Sequence, residues 1–113
     1  MTSRQAAGAA AEARAANFLA GRGLTLIERN FRVRGGEIDL DCRHGGCVVF
    51  VEVRLRGGDS HGGAAASITP AKQRRLILAA SHWLARHGDQ ICRFDCVLFQ
   101  GDKTEWIRDA FRP

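Results

Sequence analysis

The order of elements legible in this chain predicts an α/β domain of the αβββαβ type, with helices flanking a mixed central sheet. Three observations carry that expectation. An alanine-rich stretch near the start and an apolar stripe after Thr69-Pro70 both have helical character. Three runs of strand character follow the first of these, and a fourth, with a short edge strand after it, follows the second. Glycines mark most of the boundaries between them.

Taken in order, Arg4 to Gly21 reads as a helix, because alanine dominates and Gly21-Arg22-Gly23 ends it. Leu24 to Arg34 reads as a first strand, apolar at Leu24, Leu26 and Ile27 before a basic stretch. Glu37 to Arg43 is a second strand, and Val48 to Leu55, rich in valine, a third. Gly57 to Ala66 is a glycine-rich loop. Thr69 then suits an N-cap and Pro70 the first helical position. Leu76, Ala80, Trp83 and Leu84 carry that second helix to about His87, where Gly88 stops it. Ile91 to Phe99 is a fourth strand, and Thr104 to Ile107 a short edge strand. No repeat or linker divides the chain, so residues 1–113 are expected to form one domain.

With 113 residues, 45% of them hydrophobic, the chain can bury a core without covalent staples. The four cysteines do not read as a disulfide framework. Met1 to Ala20 carries Arg4, Glu12 and Arg14, unlike a secretory leader, and no run of about 18 apolar residues offers a membrane span. The expected compartment is therefore the reducing cytoplasm, with no membrane partner. A net charge of +5 and a pI near 9.7 favour polyanions, though many small soluble proteins are basic.

The chemistry concentrates in Gly36-Glu37-Ile38-Asp39-Leu40 and Val51-Glu52-Val53-Arg54. In a strand, residues i and i+2 share a face. Strict alternation puts Glu37, Asp39 and Asp41 on one face and Ile38 and Leu40 on the other. Gly45-Gly46 is a strong two-residue hairpin signal. A hairpin centred there sets Cys42 against Val49, Leu40 against Val51, Asp39 against Glu52 and Glu37 against Arg54. The Glu37–Arg54 pair is favourable. The Asp39–Glu52 pair is like-charged, and the simplest compensation is a hard divalent cation such as Mg²⁺, which takes carboxylate oxygens and keeps several waters. A bulge would break this register. Glu12 is the only acid before Glu28 and lies at helical spacing from Ala9, Ala16 and Leu19. From position alone, a surface glutamate near Arg14 is its simpler reading, since charged side chains are rarely buried.

These residues resemble the PD-(D/E)xK nuclease superfamily. The wider pattern is similar to the bacterial YraN-like family: Gly8 with Glu12, Asn30-Phe31-Arg32, Lys72, Arg93-Phe94-Asp95 and Ala110-Phe111 all fit it. The resemblance covers nearly the whole chain. It implies a restriction-endonuclease-like fold related to Holliday-junction resolvases, with Glu12, Asp39 and Glu52 as the acids holding Mg²⁺ or Mn²⁺. One position departs from the pattern: Arg54 stands where the superfamily has lysine. Arginine stays charged and cannot act as a base, but it can hold a phosphate. Lys72, near the start of the second helix, is a candidate for the same site.

The function expected is thus Mg²⁺-dependent hydrolysis of phosphodiester bonds in nucleic acid, DNA being the expected polymer. Asp39, Glu52 and Arg54 would be the catalytic set, and Glu37 would orient Arg54. Arg32, Arg34, Arg56 and Lys72 would be contacts to nucleic acid, although solvated charge is the plainer account of each basic cluster. The competing expectation is a non-catalytic nucleic-acid-binding module on the same scaffold, favoured by Arg54, and a homodimer is compatible with the chain. Other constellations are weaker. Cys42, Cys47, Cys92 and Cys96 lack the close C-x-x-C spacing of zinc sites. Asp59-Ser60-His61 are neighbours, which seldom form a triad. The glycines lack a P-loop ending. Trp83, Cys92, Phe94 and Cys96 read as core.

Overall fold

The computed structural model describes residues 3–56 and 68–113. The glycine-rich stretch, with Asp59-Ser60-His61, lies outside the described residues. The elements run α1 (Ser3–Ala20), β1 (Thr25–Val33), β2 (Gly36–His44), β3 (Cys47–Arg56), α2 (Pro70–His87), β4 (Cys92–Gln100) and β5 (Lys103–Phe111). The first six elements follow the expected αβββαβ order, and β5 adds a seventh. The last strand spans nine residues, longer than the short edge strand that the sequence suggests. The sheet has five strands in the order β1-β2-β3-β4-β5, antiparallel throughout except for β3 and β4. That parallel pair is joined through α2, as parallel neighbours require a crossover.

Each helix covers one face of the sheet. On one side α1 contributes Ala11, Ala15 and Leu19, one turn apart, to a core with Leu40, Cys42, Val49, Val51 and Val97. On the other, α2 contributes Leu76, Ala79, Ala80 and Trp83 against Phe31, Ile38, Val48, Phe50, Phe94 and Cys96. The ends of both helices are closed locally. The N–H of Leu24 reaches back to the Leu19 carbonyl over 3.1 Å, with Gly23 at φ +91 between them. Thr69 caps α2 by accepting from the Lys72 N–H at 3.1 Å, and Gly88, at φ +90, closes it by donating to the Leu84 carbonyl at 2.7 Å. Among the described residues no helix is long and apolar enough to cross a membrane.

The Gly45-Gly46 hairpin forms with the expected register: Cys42 pairs with Val49 and Leu40 with Val51. The remainder of the expected alternation fails. Ile38 packs in the core beneath α2, while Leu40 packs beneath α1, so the strand changes face at Asp39. Asn30 lies level with this point on β1, between the Arg29–Leu40 and Phe31–Ile38 pairs, and takes φ +57. Asparagine tolerates that left-handed conformation better than most residues. Glu37, Asp39 and Asp41 therefore do not share one face.

Candidate functional site

The change of face at Asp39 decides the site. The β2–β3 ladder runs only as far as Leu40–Val51. Beyond it Asp39 Oδ2 accepts the Val53 backbone N–H at 2.8 Å, so a side chain takes up a donor next to the end of the ladder. The expected cross-strand pairs of Asp39 with Glu52 and of Glu37 with Arg54 are not ladder pairs. Glu37 instead pairs with Arg32 of β1, its carboxylate 3.3 Å from the guanidinium. Orientation of Arg54 by Glu37 is thus replaced by a Glu37–Arg32 contact.

Asp39 and Glu52 still meet through their side chains. Glu52 is 3% exposed, projects on the α2 side of β3, and its Oε2 has no hydrogen-bond partner. The nearest counter-charge is Lys72 Nζ at 3.5 Å, delivered by the first turn of α2. Burial pushes the Glu52 carboxyl up to about 9; its hydrogen bond and repulsion with Asp39 act in the same direction, while Lys72 and Arg54 oppose them. The pair therefore carries less negative charge than two free carboxylates, and its Glu52 Oε2 accepts no hydrogen bond from the described residues.

Glu12 stands apart from this pair. It flanks the buried Ala11–Ala15–Leu19 stripe and meets Arg29 Nη2 at 3.4 Å, which also donates to the Ala9 carbonyl at 3.2 Å. A shallow cavity of about 220 Å³ opens beside it, lined by Gly8, Ala9, Glu12, Asn30 and Arg32. Among the described residues no three His, Cys, Asp or Glu side chains converge on one point. The structure thus brings together Asp39, Glu52, Arg54 and Lys72, and keeps Glu12 with Arg29. Arg34 is exposed just past β1, and Arg56 is half-buried at the end of β3.

Two buried carboxylates lie outside the expected set. Asp41 is 1% exposed with neither oxygen hydrogen-bonded, and desolvation, then the charge of Glu28, pushes it up to about 8. Glu28 is its cross-strand partner and accepts the Trp83 Nε1–H at 2.8 Å. Sequence reading missed Asp41's burial, because its strand neighbours Leu40 and Cys42 face α1, on the opposite side of the sheet. Asp95, on β4, accepts from Arg93 Nε and Nη2, from Trp106 Nε1 and from the Asp109 backbone N–H. Asp109 sits at φ +52 where the β4–β5 register shifts. The Arg93-Phe94-Asp95 and Ala110-Phe111 motifs therefore hold the β5 bulge, with Phe94 and Phe111 stacked at 4.7 Å. The cysteines divide between the faces: Cys42 and Cys47 toward α1, Cys92 and Cys96 toward α2. Burial first of all pushes the Cys42 and Cys96 thiols up to about 12, which keeps both protonated near neutral pH. A larger cavity, about 710 Å³, lies between Ile91, Phe94, Phe111 and Arg108 and includes none of the expected site residues.

Fold and site together define an α/β protein with an acid pair, Glu52 buried and Asp39 half-buried, at a strand divergence, with a lysine and an arginine nearby. Residues 11–99 match the uncharacterised protein family UPF0102, and the chain belongs to that family. It is 58% identical over 106 residues to a UPF0102 protein of Dechloromonas aromatica, covering 94% of this chain and 88% of that one. A UPF0102 protein of Nitrosomonas europaea is 56% identical over 115 residues, covering 98% of each chain. This is the YraN-like family that the motifs resemble.

Proposed function

We propose that this chain is a metal-dependent nuclease of the PD-(D/E)xK kind that hydrolyses phosphodiester bonds in nucleic acid, with DNA as the expected substrate. One observation carries the reading: the buried Glu52 oxygen, beside Asp39, has no hydrogen-bond partner among the described residues, and Lys72, its salt-bridge partner there, stands 3.5 Å away. A carboxylate pair with an unsatisfied buried oxygen on Glu52 fits a hard divalent cation, Mg²⁺ or Mn²⁺, which completes its shell with water. Asp39 and Glu52 would be its protein ligands. Glu12, engaged by Arg29, stands outside that inner set.

A bound divalent ion supplies Lewis acidity and a more acidic ligated water. The chain's own residues supply position and charge. The Val53 N–H holds one Asp39 oxygen in place beside Glu52. Arg54, two residues beyond Glu52, is suited to grip a non-bridging phosphate oxygen. Arg32, Arg34 and Arg56 would contact the flanking backbone phosphates. In the reaction one water oxygen bonds to phosphorus as the bond from phosphorus to one sugar oxygen breaks. The departing oxygen takes up a proton, leaving a phosphate monoester and a hydroxyl end.

Branched, single-stranded and duplex DNA offered with Mg²⁺ or Mn²⁺ test the reading. Asp39→Ala is expected to lower cleavage by roughly 10²–10³-fold, the scale of losing a transition-state charge contact. Cleavage that survives this substitution removes the mechanism. Arg54 favours one second reading, a non-catalytic nucleic-acid-binding module, because arginine cannot serve as a base. That reading expects salt-sensitive binding without turnover, and a gain of cleavage in Arg54→Lys would mark a decayed enzyme.

A further inference from the structure

We infer that Lys72 is the exchangeable cation of this site: it occupies the cation position at Glu52 when metal is absent and turns to the phosphate when metal is bound, and Gly36 is the seat that brings it there. The inference rests on the nuclease reading.

The argument begins with what surrounds Glu52. Of the ion pairs formed by the described residues, Lys72 provides the one to this carboxyl, at 3.5 Å, while Arg29 is held by Glu12 and Ala9 and Arg32 by Glu37. Because Glu52 Oε2 accepts no hydrogen bond, the Lys72 contact is coulombic and not directional. An incoming divalent ion can displace the ammonium without breaking a hydrogen bond. The Lys72 side chain is 28% exposed against 4% for Glu52, so it bridges the buried acid and the mouth of the site. Its four-carbon stem allows a point charge to swing outward, which a planar guanidinium held by a bidentate pair does less readily.

The backbone of Lys72 is fixed, so only the side chain is free to move. Thr69 accepts its N–H, Pro70 opens the helix, and Gln73 Nε2 donates to the Ile68 carbonyl at 3.0 Å. The first turn of α2 carries no acidic residue, so the positive end of the helix dipole adds to the lysine's charge. The height of α2 above the sheet is set one to two turns further on, at Gly36 of β2. A Cβ there would collide with the Arg75 carbonyl and stand 3.2 Å from the Ala79 nitrogen. The glycine that opens β2 thus lets α2 lie against the strand that carries Asp39.

The test is Mg²⁺ calorimetry and DNA cleavage on Lys72→Met, Lys72→Arg and Gly36→Ala. Lys72→Met is expected to bind Mg²⁺ roughly 3–10-fold more tightly, having lost a competing charge. It is also expected to cleave roughly 100-fold more slowly. Lys72→Arg keeps the charge, so Mg²⁺ affinity stays near that of the unaltered protein and part of the cleavage returns. Gly36→Ala, which lifts α2, is expected to shift both readouts toward Lys72→Met. Should it fail to fold, the two substitutions at the half-exposed Lys72 still decide. If the unaltered protein binds Mg²⁺ and cleaves while Lys72→Met changes neither, this inference alone is overturned. If the unaltered protein binds no Mg²⁺, the nuclease reading falls and takes this inference with it.

Discussion

Asp95 and Glu52 are both buried carboxylates on adjacent, parallel strands, yet their surroundings are opposite. Asp95, 1% exposed, receives four hydrogen bonds, from Arg93 twice, Trp106 and the Asp109 backbone. Glu52, 3% exposed, meets Asp39 and has one oxygen with only a distant ammonium. A buried charge with all its lone pairs satisfied is a structural part; one left short is held at a cost that stability alone does not explain. Burial by itself therefore does not distinguish a site from a scaffold. The completeness of the hydrogen bonding does. Asp41, also unsatisfied, shows that the criterion needs a second element: among the described residues the charge acting on it is Glu28, another acid, whereas Glu52 has Lys72 and Arg54 nearby.

The contrast can be broken by substitution, beginning where the effect should be largest. Asp95→Ala leaves the Arg93 guanidinium, the Trp106 indole and the Asp109 N–H without their acceptor. It is expected to cost about 3–5 kcal/mol in urea unfolding, the scale of breaking a buried pair. Glu52→Gln is expected to do the reverse. The Glu52 carboxyl rises from an ordinary 4.5 to about 9 on folding, so its favourable effect is full below pH 4.5 and is lost as pH rises toward 9. At pH 8 the substitution should stabilise by about 1–3 kcal/mol and, on the proposed nuclease reading, remove the rise in Tm expected of the unaltered protein with Mg²⁺. A loss of stability as large as that for Asp95→Ala would erase the distinction between the two carboxylates.

Asp41→Asn is expected to have a smaller effect with a narrower pH window. Asp41 shifts from 3.8 to about 8, so its stabilising contribution is full below pH 3.8 and fades as pH rises through about 8. The variant should match the unaltered protein at pH 4 and exceed it by about 1–2 kcal/mol at pH 9. Mg²⁺ affinity should stay unchanged; a loss of affinity would extend the metal site to Asp41. Arg32→Gln should have the least effect on stability, about 0.5 kcal/mol or less, because its pair with Glu37 is largely in solvent. Its effect should appear instead as weaker, less salt-dependent DNA binding.

Much of this protein is determined by sequence alone, and the parts that are share a physical basis. The two helices, their caps at Thr69, Gly23 and Gly88, and the hairpin at Gly45-Gly46 all depend on interactions within a few residues. Such local preferences act whatever the rest of the chain does, so they can be read directly. The Cys42–Val49 and Leu40–Val51 pairs follow from the turn for the same reason. The nearness of Asp39 and Glu52 was legible from the turn, but not the way they meet: the ladder stops at Leu40–Val51, and the two approach through their side chains.

Tertiary structure decided the rest. The change of face at Asp39 depends on Asn30 of the neighbouring strand and on two helices demanding apolar contacts from opposite sides. Nothing within β2 announces it. The choice of partners among the charges was equally open. Glu12 had Arg14 close in sequence but meets Arg29, 17 residues away; Glu37 turned to Arg32, and Glu52 met Lys72. With 17 lysines and arginines in the chain, many pairings are nearly equal in energy at the level of sequence. Long side chains take whichever counter-charge the packed backbone brings within reach, and that choice is made only when α1 and α2 settle on the sheet.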